Sequence, residues 1–200
     1  VSNQSYERED RYNPAKSEKT SKTGYNVKGG LSLTMAEGNT IFLNAGYNSR
    51  QPYLDNIFNR NTGFITELVS PAVENENITS FEAGYRFKMN NFRANFNAYV
   101  TNWTDRTLSS FGQDDNGTPG DDTDDFDTTT LQRGITQYHS GAELDVRYRA
   151  TDWLSFKGFV SAGSWTYKGE AVVSTYNAET NEQIGETSTV NRDGIKVSTA

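Results

Sequence analysis

The chain contains no cysteine, which excludes a disulfide framework, a thiolate metal site and a cysteine nucleophile. It has no basic cluster, and its formal net charge of −7 argues against a nucleic-acid partner. It has no apolar run long enough for a transmembrane helix, and its mean hydropathy is −0.78. No signal peptide is visible at Val1. These absences still allow a protein that crosses a membrane with strands, because each strand exposes only half its residues to lipid.

Leucine, isoleucine, valine and phenylalanine are scarce, close to the level of disordered chains. Their order contradicts disorder, because in six stretches apolar and polar residues alternate one for one. In Thr79–Lys88, for example, Phe81 and Tyr85 share one parity, and Glu82 and Arg86 share the other. A strand points successive side chains to opposite faces, so each stretch predicts a strand with one apolar and one polar face.

The joins between these stretches are alternately short and long. The predicted strands are Tyr25–Met35, Thr40–Arg50, Thr79–Lys88, Phe92–Thr101, Gly134–Arg149 and Trp153–Tyr167, with partial strands at Ser2–Glu9 and from Ile195. The short turns are Ala36–Asn39, Met89–Asn91 and Ala150–Asp152. The long joins are Gln51–Asn77, an acidic loop around Asp114–Asp127, and Lys168–Asp193. Short turns at one rim and long loops at the other are typical of a membrane β-barrel.

Strand length and aromatic placement support the barrel. About eleven residues per strand, tilted by about 45°, span roughly 25 Å, which is close to the apolar band of an outer membrane. Aromatic residues collect at both strand ends, as in interfacial girdles: Phe87, Phe92 and Trp153 near the short turns, and Tyr47, Tyr99, Trp103, Tyr138, Trp165 and Tyr167 near the long loops. A β-sandwich also alternates, but these two features favour an all-β, antiparallel up-and-down transmembrane β-barrel. We expect about six full strands and two partial ones of a larger barrel.

Three segments resemble a known family. Ser70–Tyr85 resembles the loop-to-strand element of TonB-dependent outer-membrane receptors, in which a proline, an acidic residue and a Ser-aromatic-Glu-x-Gly-Tyr run recur. Asn97–Arg106 is similar to the strand that follows in that family. Ser140–Tyr148, with Thr151–Phe156 after it, is similar to the family's Gly-x-Glu strand and the turn beyond. The resemblance covers most of Tyr25–Tyr167.

The resemblance implies a function and partners. Members of the family are barrels of about 22 strands with a plugged lumen. They import scarce nutrients (iron chelates, cobalamin, glycans or peptides) across the Gram-negative outer membrane, driven by the TonB complex. The implied partners are outer-membrane lipid, the nutrient ligand and the TonB complex, and a surface lipoprotein is a further candidate. No plug, TonB-contacting box or C-terminal aromatic-ended strand is visible, so residues 1–200 are predicted to be a segment of one barrel domain that begins mid-protein, with extracellular long loops.

Several residues are candidates for the lumen and for ligand contact. The polar parity predicts a lumen-facing set, namely Lys28, Glu82, Arg86, Arg93, Glu143, Asp145, Arg147 and Lys157. These charges either contact the plug and a hydrated substrate or pair with one another across strands. The ligand-contact candidates in the long loops are Tyr53, Phe58, Phe64 and Phe126. The alternative for these aromatic residues is that they pack the loops against their neighbours.

The acidic loop and the single histidine are the remaining candidates for chemistry. Calcium could be held by Asp121, Asp122, Asp124, Asp125 and Asp127, although their spacing does not match an EF-hand. The alternative is a solvated, self-repelling loop. His139 and Ser140 are neighbours in a strand and point to opposite faces, so they cannot form a catalytic dyad. We expect no enzyme activity and no other cofactor.

A second function class remains open at this level. A non-transporting surface-binding or adhesive protein, built as a small β-barrel or a β-sandwich, would show much of the same alternation. A sandwich would stay monodisperse without detergent, whereas a protein whose apolar faces meet lipid would not.

Overall fold

The computed structural model describes residues 1–11, 15–61 and 63–198. These residues form nine strands and one short helix: β1 (Ser2–Tyr6), β2 (Thr20–Ala36), β3 (Asn39–Arg50), α1 (Leu54–Ile57), β4 (Glu76–Met89), β5 (Phe92–Asp114), β6 (Phe126–Arg149), β7 (Ser155–Lys168), β8 (Glu170–Asn177) and β9 (Gln183–Asn191). In the described ranges, no helix is long and apolar enough to cross a membrane.

All strands belong to one antiparallel sheet. Its order is β1-β2-β3-β4-β5-β6-β8-β9, and β7 also pairs with β6. Nearly every strand therefore lies beside its neighbour in the chain, which is the up-and-down arrangement that the alternating joins predict. The described strands form an open sheet rather than the two packed sheets of a β-sandwich. The predicted all-β antiparallel fold is confirmed.

The predicted hairpin turns lie at one end of the sheet, which we call the short-turn end. Gly38 in the β2–β3 turn has φ 76°, a left-handed conformation that glycine adopts without strain. Its carbonyl accepts a hydrogen bond of 2.7 Å from the backbone N–H of Lys88, which ties the first turn to the β4–β5 hairpin. A Cβ at Gly38 would collide with the backbone of Lys88. The opposite end is the long-loop end.

The strand register separates the two kinds of side chain onto two faces. Phe81 lies opposite Val100 and Glu82 lies opposite Tyr99, so each parity continues from strand to strand. On the apolar face, Leu31 is 76% exposed and Val160 is 64% exposed, although both lie in the middle of regular strands. Such a continuous exposed apolar face is unusual for a water-soluble protein and suits contact with lipid.

The structure differs from the sequence prediction in the length of β5 and β6 and in residues 168–193. The predicted strand Phe92–Thr101 continues to Asp114, and β6 begins at Phe126 rather than at Gly134. The predicted long polar loop at 168–193 is wrong, because it contains β8 and β9. The described residues thus form nine strands, more than the predicted six full and two partial ones. The backbone bridge between Thr166 and Lys196 agrees with a new strand starting near Ile195.

Three irregularities lie side by side across the sheet. The β5–β6 register shifts between Trp103 and Arg106, where Asp105 has φ 60°. Gly134 in β6 has φ 70°, and Gly169, between β7 and β8, has φ 67°. β7 pairs with β6 on the short-turn side of Gly134, and β8 pairs with β6 on its long-loop side. β7 and β8 therefore lie end to end along β6 and are separated by Gly169. We call Asp105, Gly134 and Gly169 the bulge line.

The buried apolar residues lie mostly beyond the bulge line, at the long-loop end. They include Ile57, Phe58, Val73, Leu131 and Ala171. We call this part of the molecule the cap: residues 51–75, the ends of β5 and β6 beyond the bulge line, and the β8–β9 hairpin. The strands below the bulge line form the wall. The molecule therefore has its protein-packed core in the cap and not in the wall.

Candidate functional site

The join between β3 and β4, predicted as a long loop, is folded into the cap. Phe58 is fully buried and forms an isolated antiparallel bridge with Leu68. The backbone N–H of Val69 donates to the carbonyl of Ile57 at 2.9 Å, and that of Asn59 donates to Glu67 at 2.8 Å. The chain therefore turns back on itself within the join. The buried residues Ile57 and Phe58 at the end of α1, together with these backbone hydrogen bonds, hold the join in place.

Asparagine side chains hold the join against the β8–β9 turn. The amides of Asn59 and Asn61 donate hydrogen bonds of 2.6 and 2.7 Å to Oδ1 of Asn181. Asn181 has φ 60°, a conformation that asparagine tolerates better than most residues. On another side, Arg133 of β6 donates to the carbonyl of Pro71 at 3.0 Å. Segments about 120 residues apart in the chain thus meet in one structure.

A cavity of about 180 Å³ lies between the join, the outer ends of β5 and β6, and β8. Its walls combine amides, hydroxyls and apolar groups from Asn56, Phe58, Asn59, Ser109, Thr129, Leu131, Tyr176 and Asn181. Of the four predicted ligand-contact aromatic residues, only Phe58 lines it. The other lining residues are not among the predicted site residues, because the sequence pattern predicts loops at β8 and at the outer end of β6.

The other aromatic candidates lie elsewhere. Tyr53 is 64% exposed and stacks on the guanidinium of Arg50, 4.9 Å from its ring centroid. Phe64 is half-buried in the join, and Phe126 is the half-buried first residue of β6, opposite Asp114. The structure therefore does not bring the four aromatic residues together into one site. The burial of Phe58 fits its packing role, and direct ligand contact by the other three stays a prediction.

A cationic and aromatic cluster lies where the polar face meets the cap. Arg50 lies 5.2 Å from the Trp103 ring centroid, and Arg106 lies 4.1 Å from it on the same ring. Glu76 forms an ion pair with Arg50 and accepts a hydrogen bond of 3.1 Å from the indole N–H of Trp103. Glu76 is only 6% exposed, so its charge depends on these partners.

The eight predicted lumen residues all lie on the polar face. The strand pairings place Glu82, Arg86, Arg93, Glu143, Asp145, Arg147 and Lys157 there, with Lys28 on the same side of β2. Among the described residues, none of the eight forms a salt bridge. Instead, Asn44 donates to Glu82 at 2.9 Å, and Arg86 lies 4.4 Å from the ring centroid of Phe42. The eight charged side chains are therefore not paired with one another across the strands as ion pairs. They are distributed along the polar face.

Near the short-turn end, one row of the polar face carries four cations. Lys88 lies opposite Arg93, Arg93 opposite Arg147, and Arg147 opposite Lys157. Like charges directly opposite one another destabilise a sheet. We call these residues the cationic row.

His139 lies on the polar face among aromatic residues. Its ring is 6.2 Å from that of Trp165, and its Nε2 lies 3.2 Å from Oε1 of Gln137. With Tyr99 and Trp103 it lines a niche of about 540 Å³. The register places Ser140 on the opposite face, across from Val100, so the two neighbours do not form a dyad.

The acidic loop is a structured tip on the β5–β6 hairpin. The Thr118 hydroxyl donates to Asp124 at 2.7 Å, the Asn116 amide donates to Asp124 at 3.2 Å, and these hydrogen bonds lower the pKa of that carboxyl. The hydroxyl and N–H of Thr123 lower the pKa of Asp121 in the same way. In the part of the chain that the structure describes, no three acidic or histidine side chains come together to hold a metal. Calcium binding by this loop stays a prediction, which a direct titration can test.

A comparison with known protein families identifies the family of the chain. The model of the family described as TonB dependent receptor-like, beta-barrel matches residues 2–199. The chain belongs to this family. No curated protein and no solved structure matches the chain. The family match agrees with the resemblance carried by Ser70–Tyr85 and with the apolar and polar faces of the sheet.

Membership places the chain among outer-membrane receptors and transporters of bacteria. Barrels of outer membranes have an apolar outer surface and a more polar interior, and the two faces of this sheet agree with that division. The family is a transport and receptor family rather than a class of enzymes. TonB and a nutrient ligand are the partners that it implies in general.

Proposed function

We propose that this chain forms wall and extracellular loops of a receptor that takes up a scarce nutrient, with energy supplied through the TonB complex. The nutrient is an iron chelate, cobalamin, a glycan or a peptide, and TonB is contacted through segments outside these residues. The observation that carries the proposal is the separation of faces: apolar residues are exposed on one side of the wall, and unpaired charges line the other. A hydrated ligand requires such an interior.

The assignment of the two faces can be tested by thiol labelling, because these 200 residues contain no cysteine. Val160 and Ser161 are neighbours on opposite faces of β7. We expect Ser161→Cys to react with a charged maleimide in isolated membranes, and Val160→Cys to react only with a lipid-soluble reagent. Equal labelling of both variants by the charged reagent would contradict the proposed lumen.

The direction across the membrane has a similar test in intact cells. Asp122 lies in the tip of the β5–β6 hairpin, and Glu37 lies in the β2–β3 turn. We expect an impermeant thiol reagent to label Asp122→Cys and not Glu37→Cys. The opposite result would place the cap on the periplasmic side and remove its role in capturing ligand.

Energised uptake is tested by growth. Cells that depend on the receptor for one candidate nutrient at a time should lose growth on that nutrient when the receptor gene or the TonB gene is deleted. Growth that depends on the receptor but not on TonB would contradict the transport mechanism and leave a surface-binding function.

A further inference from the structure

The cap cavity contains two hydroxyl groups that have no hydrogen-bond partner in the described chain. They are Oγ1 of Thr129, a residue that is only 6% exposed, and Oγ of Ser109. Both residues line the cavity. Buried polar groups in folded proteins are nearly always hydrogen-bonded. These two atoms therefore point to a partner that is not part of this segment of chain.

The register places both hydroxyls on one wall of the cavity. Thr129 lies opposite Phe111 on β5 and opposite Tyr176 on β8. Ser109 lies opposite Leu131, two residues further along β6 and so on the same face as Thr129. This wall thus presents two hydroxyls beside the flat ring of Tyr176, which offers a stacking surface.

The facing wall is supplied by the join and the β8–β9 turn. Asn56, Asn59 and Asn181 line it with carboxamides, and Phe58 adds a second aromatic ring. Amides and hydroxyls both donate and accept hydrogen bonds without a net charge. The two walls together suit a ligand with several neutral groups that both donate and accept hydrogen bonds.

Two of the three charged side chains that line the cavity have partners in the protein. Arg60 lies 4.8 Å from the ring centroid of Phe111, and Asp55 lies 3.9 Å from the guanidinium of Arg8. Glu67 is the remaining charged residue in the lining. With one cation and two anions, the cavity has no dominant positive charge to attract an anionic chelate.

We propose that the cap cavity binds one ring of a neutral carbohydrate, with Thr129 and Ser109 bonding its hydroxyls and Tyr176 against its face. The volume of about 180 Å³ corresponds to roughly six water molecules at about 30 Å³ each, which is the size of a single sugar ring. The cavity is smaller than the roughly 300–1,000 Å³ of most ligand pockets, so a longer chain would leave its other rings outside. This inference rests on the proposed receptor function for the supply of ligand and narrows its nutrient class.

The test is a titration of the full-length receptor, purified in an amine-oxide detergent because sugar-headed detergents would compete. Glucose, galactose, mannose, N-acetylglucosamine and their β-1,4 and α-1,4 disaccharides are the probes, followed by calorimetry or saturation-transfer NMR. We expect saturable binding of at least one of them. Thr129→Val and Ser109→Ala should each weaken that binding about ten-fold, which corresponds to about 1.4 kcal/mol. No saturable binding by any of these sugars would overturn the proposal.

Thr130→Val is the matched control. Thr130 is the next residue on β6, points to the other face and has its hydroxyl 3.1 Å from that of Thr175. We expect this variant to bind the sugar as the parent does. If it weakens binding as much as Thr129→Val, the effect comes from the strand and not from the cavity, and the proposal is wrong.

The sugar-free receptor supplies a second measurement. Valine has the shape of threonine, so Thr129→Val replaces an unpartnered hydroxyl by a methyl group and should keep or raise the unfolding temperature. A lowered unfolding temperature would show that the hydroxyl is satisfied within the folded protein, and would overturn the proposal. Binding to purified receptor needs no TonB, whereas uptake by cells does. Binding without uptake therefore contradicts the transport function alone, and uptake of a nutrient without sugar binding contradicts the cavity assignment alone.

Discussion

The carboxylate of Glu76, which lies opposite Arg50 in the β3–β4 pairing, binds the guanidinium of Arg50. The same carboxylate accepts the indole N–H of Trp103 at 3.1 Å. This nearly buried acid therefore joins the end of β3 to β5 at the boundary between the wall and the cap.

Glu76→Gln should destabilise this junction. The amide keeps the shape of the carboxylate but removes its charge beside a partly buried guanidinium, at a cost of about 2 kcal/mol. The measurement is the urea midpoint of the full-length receptor in detergent micelles. Glu82→Gln is the control, because Glu82 accepts only the Asn44 amide on an open face, and it should shift the midpoint much less. Equal shifts would argue against a special role for Glu76.

Val160→Arg should impair membrane insertion far more than Ser161→Arg. Val160 faces outward beside Leu144, and an arginine on the lipid face near the bilayer midplane costs about 2–4 kcal/mol. The same arginine at position 161 would lie on the polar face opposite Glu143. The amount of heat-modifiable, folded receptor in outer-membrane fractions reports the difference. If both variants insert equally well, the apolar face does not meet lipid.

Asn181→Gly should release the join from the β8–β9 turn. Glycine keeps the left-handed backbone at this position and removes the carboxamide oxygen that Asn59 and Asn61 share. The loss of two hydrogen bonds corresponds to about 1–3 kcal/mol of local stability. Limited proteolysis of intact cells should then cleave residues 51–75 faster. Asn116→Gly, in the exposed hairpin tip, keeps a similar backbone and should leave that cleavage rate unchanged.

The hairpin tip should lose structure in acid. The pKa values of Asp121 and Asp124 are lowered in the folded loop by hydrogen bonds from Thr123, Thr118 and Asn116. A lowered folded pKa means that the ionised form favours the folded loop. The contribution is present above the ordinary aspartate pKa and is lost as the pH falls through the lowered values.

Amide hydrogen exchange of residues 114–126, corrected for intrinsic rates, measures this effect as the pH is lowered. Thr118→Val removes the strongest hydrogen bond to Asp124, so its loop should open at a higher pH than the parent loop. Thr128→Val leaves the tip contacts of both aspartates in place and serves as the control. An unchanged opening pH in Thr118→Val would show that this hydroxyl does not hold the tip.

The cationic row should make the stability of the wall depend on salt. Arg147 lies between Arg93 and Lys157, so Arg147→Gln should raise the unfolding midpoint at low ionic strength, and added salt should reduce the gain. Arg86→Gln is the control, because Arg86 lies over the ring of Phe42 and its loss should destabilise the wall. A loss of stability in Arg147→Gln would instead indicate an acidic partner from another part of the receptor.

The wall was predictable because lipid imposes a strong contrast along each strand. Val100 and Leu144 lie on the apolar face and Thr101 and Glu143 lie on the polar face, so one-for-one alternation marks both the strand and its faces. The short turns at Gly38 and Asn90 were visible for a related reason, since left-handed residues separate the alternating stretches. The alternating stretches and the short turns between them therefore predicted the hairpins of the wall.

The cap was not predictable in the same way. In β8, Val172 and Val173 follow each other without the one-for-one alternation of the wall strands. The β-branched residues in these segments were the one available signal. The cavity draws Ser109 from β5, Thr129 from β6 and Asn181 from the last turn, and their meeting depends on packing that no local pattern records. The same packing buries Phe58 fully, although the sequence predicts it as a ligand contact.

The regular pairing at the outer end of the β5–β6 hairpin determines how this hairpin can be shortened. Gln113 and Asp114 lie opposite Asp127 and Phe126, beyond the part of β6 that pairs with β8. Deleting these two pairs together would shorten the hairpin by one side-chain period and leave every remaining residue on its own face. Deleting a single residue from one strand would rotate the outer segment by half a period. Deleting two cross-strand pairs at a time would therefore give receptors with a shorter cap and an unchanged wall.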